Sequence, residues 1–201
     1  MGRNSGGVRG GKGTGRNNSG KGSTEDGYTS KMVKNILGME NRIRQNRNES
    51  LHVFDSKGNL IESIGGKGVE VKYKGHKIPQ NSILTHNHPR SLGTRGIRRI
   101  GNSFSIHDIA SAINLNAKEI RAVTPTYTFS LKRPKGGWGV SAKEAATNFN
   151  AAYDEVEKQG YKYLQKRWND TVLARAEITH FHKVMKIVSK KYGWIYSKKN
   201  R

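Results

Sequence analysis

The sequence predicts an α+β (or α/β-type) domain over about 30–140, followed by a helical extension over 141–201. Three observations carry this. A helical pattern leads into several strand-like segments, a capped helix separates these from a further strand pair, and long helical patterns follow. Ahead of them lies a Gly-, Ser- and Asn-rich stretch with scattered Arg and Lys. Residues 1–30 hold ten of the 24 glycines. Such a segment buries too little apolar surface to offset its ordering entropy, so a flexible basic arm is expected.

Residues 30–48 place Met32, Val33, Ile36, Leu37, Met39 and Ile43 at roughly helical spacing, which predicts a short amphipathic helix. The period changes over 49–66, where Leu51, Val53 and Phe54 run into the turn signal "DSKGN" and then "LIESI", a β-hairpin pattern. Val69, Val71 and Tyr73 alternate, predicting a third strand over 67–75 with one wet face. The continuous apolar run of 81–86 predicts a central strand. Residues 90–102 read as a loop with four arginines and three glycines. In 103–116, Ser105 is the expected N-cap, Asp108 holds the capping-box position, and Ile109, Ala112 and Ile113 form the buried stripe. Two strands are expected around Pro125, then a long helix over 141–170 open to a break at Gly160, then a helix from 173 that stops near Gly193.

Composition narrows the chemistry. There is no cysteine, which excludes disulfides, thiolate metal sites and the cysteine-ligated zinc of base deaminases. No apolar stretch approaches the roughly 20 residues of a membrane span, and the basic N-terminus lacks the apolar run of a secretory signal. The formal net charge is +22, a field that favours nucleic acid or another polyanion. Arg90, Arg95, Arg98 and Arg99 are the candidate contacts in the 90–102 loop.

The stretch "ILTHNHPR" (83–90) raises a sharper question. Alternate residues on a strand share a face, so His86 and His88 project together and can hold one metal ion at about 2.0–2.1 Å each. Asp108, in the first turn of the following helix, is the best third ligand, and Ser105 brings a hydroxyl close by. A hydrolytic site also needs a carboxylate to move protons, and Glu49, Glu62 and Glu70 are the acids upstream. Capping alone accounts for Ser105 and Asp108, and a lone H-x-H is weak; the combined set points to metal.

Together, "THNHP" and "FSIHD" resemble the signature of JAMM (JAB/MPN) metallopeptidases, with a distant Glu, H-x-H-P and S-x-x-D. The closer resemblance is to RadC-type proteins and to JAB-like domains of phage head-morphogenesis (MuF-type) proteins, carried by "ESLHVFDSKGNLI", "ILTHNHP", "FSIHDI" and "TYTFSLKRP" over roughly 48–138. The resemblance implies a cytidine-deaminase-like mixed β-sheet flanked by helices. It implies one zinc ion on His86, His88 and Asp108, with Glu49 as proton shuttle and Ser105 as oxyanion stabiliser. It further implies a peptide or isopeptide substrate, phage structural partners, and a location in a virion or the bacterial host cytoplasm. The alternative is a non-enzymatic virion or DNA-associated protein that keeps the fold. The chain departs from the signature in one respect: nineteen residues separate His88 from Asp108, more than the family has, and the excess is the basic loop.

The letters "HNH" do not make an HNH nuclease, whose named residues are dispersed. A second H-x-H, His180 and His182, falls on a predicted helix where i and i+2 point apart, so both are expected to be ordinary helix histidines. His107 is expected to face solvent, and Trp138, Trp168 and Trp194 to anchor the core or the helical extension.

Overall fold

The computed structural model describes residues 28–89, 101–166 and 169–200. The arm up to residue 27, the arginines at 90, 95, 98 and 99, and Trp168 lie outside the described residues. Within them the chain forms α1 (Ser30–Ile43), β1 (Ser50–Phe54), β2 (Leu60–Gly65), β3 (Ile83–Asn87), α2 (Ile106–Asn114), β4 (Glu119–Val123), β5 (Tyr127–Lys132), α3 (Ala142–Lys166), α4 (Asp170–Tyr192) and β6 (Ile195–Asn200). The strands make one mixed sheet in the order β2-β1-β3-β4-β5-β6, with β3 and β4 parallel and every other pair antiparallel. This is the expected α+β fold with a helical C-terminal part.

Strand alternation sorts the core into two layers. Leu51, Val53, Leu84, Ile120, Ala122, Phe129 and Leu131 join Ile109, Ala112, Phe149, Val184 and Met185 from α2, α3 and α4. Ile83 and Phe54 meet Tyr28, Met32 and Ile36, so α1 covers the opposite face. All five residues of β3 are buried, as its unbroken apolar run predicts for an interior strand.

On the α1 face sits a buried ion network. Arg121 Nε is 2.5 Å from Glu40 Oε1, and its Nη1 is 2.7 Å from Glu119 Oε1. Both carboxylates are wholly buried. Tyr28 donates its hydroxyl to Glu119, and its ring lies under the ammonium groups of Lys118 and Lys132. Tyr28 and Thr29, which the composition places in the basic arm, are part of the fold: Tyr28 belongs to the core and Thr29 caps α1.

Three sequence expectations need correction. Residues 67–75 form no strand; a single bridge, Lys67 to Glu70, closes a turn. Val71 and Tyr73 alternate because they pack on the larger core cluster, without a neighbouring strand to pair with. Gly160 does not break α3, which runs 25 residues through it. The residues after Gly193 are not a helical tail. Gly193 caps α4 with a φ of 67°, where a β-carbon would be strained, and β6 then pairs with β5 as the sixth strand. Trp138 and Trp194 lock this return in place, their rings edge-on at 5.2 Å and Trp194 Nε1 donating to the Trp138 carbonyl at 2.9 Å. Both are core anchors, as expected.

Candidate metal centre

The tip of β3, the start of β1 and the first turn of α2 bring four side chains together. Ligand-capable atoms of Glu49, His86, His88 and Asp108 all lie within 4.8 Å of one another. His86 is buried and the other three are half-buried. The two histidine Nε2 atoms are 2.9 Å apart. Asp108 Oδ1 is 3.2 Å from His86 Nε2, and Oδ2 is 3.7 Å from His88 Nε2. Tetrahedral ligands at about 2.0–2.1 Å from a shared ion are roughly 3.3–3.4 Å apart, so these spacings fit one small cation.

Each donor is oriented by its surroundings. His88 Nδ1 is 2.9 Å from the Asn102 carbonyl. A carbonyl only accepts, so Nδ1 carries the hydrogen; Nε2 is then a donor toward Asp108 in the protonated ring and, in the neutral ring, offers its lone pair to a cation. An outer partner of this kind is what metal-binding histidines require. Asp108 divides its two oxygens. Oδ2 accepts from Ser105 N at 2.7 Å and from Ser105 Oγ at 2.9 Å, while Oδ1 faces His86. One carboxylate thus closes the capping box and still turns a ligand-capable oxygen toward the histidines. The single hydroxyl hydrogen of Ser105 is directed at Asp108, which makes Ser105 the residue that holds Asp108.

Electrostatics agree with the geometry. Burial pushes the His88 imidazole down, but its hydrogen bond to Asp108, the Asp108 charge, the Asn102 carbonyl and the Glu49 charge outweigh burial and raise its pKa above 6.5. Burial pushes Asp108 up, and His86 and His88 together hold it well below the usual carboxylate range. The cluster therefore favours an ionised Asp108 and attracts positive charge, whether a proton or a metal.

Backbone hydrogen bonds seat Glu49 beside the site. Its N–H donates to the Gly68 carbonyl at 2.7 Å, and its own carbonyl accepts from Gly66 N at 2.8 Å. A β-carbon on Gly66 would stand 2.7 Å from the Glu49 carbonyl oxygen and 2.2 Å from that of Glu70, so only glycine fits this approach. Glu62 lies elsewhere, near His76 on the surface, and Glu70 lines the cleft without joining the donor cluster. The cleft has a volume of about 1190 Å³ and runs from Glu49, His88 and Asp108 past Tyr73 to Tyr153, His180 and Phe181 on α3 and α4. His107 is exposed at its rim.

Asn87, between the two candidate ligand histidines, was not singled out from the sequence. It points to the opposite face and clamps the chain around Glu49. Its Oδ1 accepts from Ser50 N at 2.9 Å, and its Nδ2 donates to the carbonyls of Asn46 and Asn48 at 3.1 Å each. The alternation of "HNH" on a strand already held that signal. Asn102 was also missed, because it acts through a backbone carbonyl that any residue carries. His180 and His182 fall on α4 outside the donor cluster, as expected. Among the described residues no helix is long and apolar enough to cross a membrane. The chain matches no protein-family model, no curated protein and no solved structure.

Proposed function

We propose that the chain is a zinc-dependent hydrolase of the JAB/JAMM type, acting on a peptide or isopeptide bond in a phage or prophage setting. The observation that supports it is the convergence of Glu49, His86, His88 and Asp108 within 4.8 Å at the end of an open cleft. Two neutral imidazoles and a carboxylate would suit zinc, with the Glu49 carboxylate beside them. Bound there, zinc supplies a Lewis acid that makes a water molecule acidic near neutral pH and polarises a carbonyl.

This chain's residues do the rest. His86, His88 and Asp108 hold the ion, and Ser105 fixes Asp108 through two hydrogen bonds. The Asn102 carbonyl keeps His88 in the ligating tautomer. Glu49 would take the proton as the water oxygen bonds to the carbonyl carbon, and then give it to the amine nitrogen as the peptide C–N bond breaks and the carbonyl re-forms. Carboxylate chemistry at Glu49 also separates two kinds of site: as a proton carrier it leaves the metal site open, and as a fourth ligand it closes it.

Metal analysis of the purified protein tests the proposal. About one zinc per chain is expected, lost in the His86→Ala, His88→Ala double variant. In Glu49→Gln the zinc should remain while cleavage of a peptide library disappears. Absence of metal in both native and zinc-reconstituted protein would sink the reading; loss of zinc in Glu49→Gln would recast the site as structural.

A second reading, a DNA-associated or virion protein without catalysis, draws on the net charge of +22. DNA affinity that falls steeply with salt, with no hydrolysis by zinc-loaded protein, would favour it.

A further inference from the structure

A chain of side-chain hydrogen bonds connects α4 to the loop ahead of α2. His182 Nδ1 is 2.8 Å from the Tyr196 hydroxyl, which is 2.7 Å from Ser103 Oγ. Ser103 is buried, and the Tyr196 ring packs edge-on against Phe104 at 6.3 Å and beside His182 at 5.5 Å. Each hydroxyl has one hydrogen, so donation runs in one direction along the three groups. Burial, with Lys186 and Lys198 adding to it, lowers His182 to about 4, so the ring is neutral. Burial also raises the Tyr196 phenol, which stays protonated.

Ser103 is bonded to Asn102, whose carbonyl holds His88 Nδ1 at 2.9 Å. We propose that Tyr196, from the last strand, is a positioning residue of the metal centre. Through Ser103 it fixes the Asn102 carbonyl and thereby the His88 ring, and His182 anchors its hydroxyl. This gives the C-terminal helices and β6 a role in the site itself. The inference rests on the metal-binding reading, and Tyr196 touches neither metal nor substrate.

Tyr196→Phe removes only the hydroxyl and keeps the ring. In the full chain, zinc affinity measured against a competing chelator should fall about tenfold, the low end of the effect of outer-shell partners, because Tyr196 acts one step further out. The visible absorption bands of the cobalt(II)-loaded protein should shift, which loss of stability alone would not produce. Ser103→Ala should match Tyr196→Phe, and the double variant should be no weaker than the weaker single, since both cut one connection. His182→Asn keeps a polar atom where Nδ1 stands and should retain affinity; His182→Ala should not.

Wild-type affinity and an unshifted cobalt spectrum in Tyr196→Phe would overturn the inference, as would additive losses in the double variant. If Tyr196→Phe fails to fold, Ser103→Ala carries the same measurements. Should wild-type chain take up no metal, the metal reading fails by itself. Amide hydrogen exchange over residues 102–105 then decides the relay: faster exchange in the variants supports it, and unchanged exchange overturns it.

Discussion

The carboxamide of Asn87 accepts from the backbone N–H of Ser50 at 2.9 Å and so ties the end of β3, between the candidate ligands His86 and His88, to the residue after Glu49. The two halves of the candidate centre are held in register by a side chain that touches neither the metal position nor the cleft.

Asn87→Leu should therefore uncouple Glu49 from the histidines. It strands the Asn46 and Asn48 carbonyls and Ser50 N in a part-buried site, at a cost of about 1–3 kcal/mol in denaturant unfolding. Metal content should stay near wild type while peptide hydrolysis falls about tenfold or more, a loss of roughly 1.4 kcal/mol in transition-state stabilisation. Equal loss of metal and activity would show that Asn87 supports the ligands instead.

Ser105 serves both the α2 cap and Asp108. Ser105→Ala should lower stability by about 1 kcal/mol as a lost N-cap. It should also weaken zinc about tenfold as a lost outer-shell partner. Ser105→Gly, which costs a cap only a few tenths of a kcal/mol, should leave the metal loss and recover most of the stability. Chelator competition and thermal unfolding measure the two effects separately.

Protons and metal compete for the centre. In metal-free protein the raised pKa of His88 gives stability that is full below 6.5 and fades as pH rises through the folded value. The depressed pKa of Asp108 works the other way, giving stability above 3.8 that fades as pH falls. The pair therefore supports the metal-free fold chiefly between those two ordinary values. Zinc needs the imidazoles unprotonated, so the rise in Tm on adding zinc should grow from roughly pH 6 to roughly pH 8. A zinc-induced shift that shrinks over this range would contradict the histidine ligand set.

Arg121 lies between two fully buried carboxylates, Glu40 and Glu119. Burial pushes it down, but the two charges hold it protonated above its ordinary value. Arg121→Met should destabilise the fold by about 3–5 kcal/mol by leaving those carboxylates uncompensated. Joining Glu40→Gln and Glu119→Gln to it should recover part of the loss.

Gly66→Ala tests the approach that seats Glu49. A methyl group there meets two backbone oxygens inside 3.0 Å, so the strand start must shift. Activity should drop by more than the change in Tm explains, with the histidine ligands still binding zinc.

Local chemistry was enough to read much of this protein. The continuous apolar run leading into β3, the Ser105–Asp108 box on α2, the turn "DSKGN" and the pairing of His86 with His88 are set by neighbours within a few residues, and each recurs in the structure. Glu49 emerged from a motif resemblance, because nothing within its own segment distinguishes it from Glu62 or Glu70. Tertiary structure alone decided which acid faces the histidines, since that depends on β1 lying antiparallel beside β3 and on Gly66 giving it room. It also decided that Val71 and Tyr73 pack without pairing, that residues 195–200 return to the sheet, and that a carbonyl at Asn102 and a phenol at Tyr196 stand behind His88. Those contacts join residues far apart in the chain, where spacing carries no signal and the free energy comes from burial, strand pairing and partner geometry.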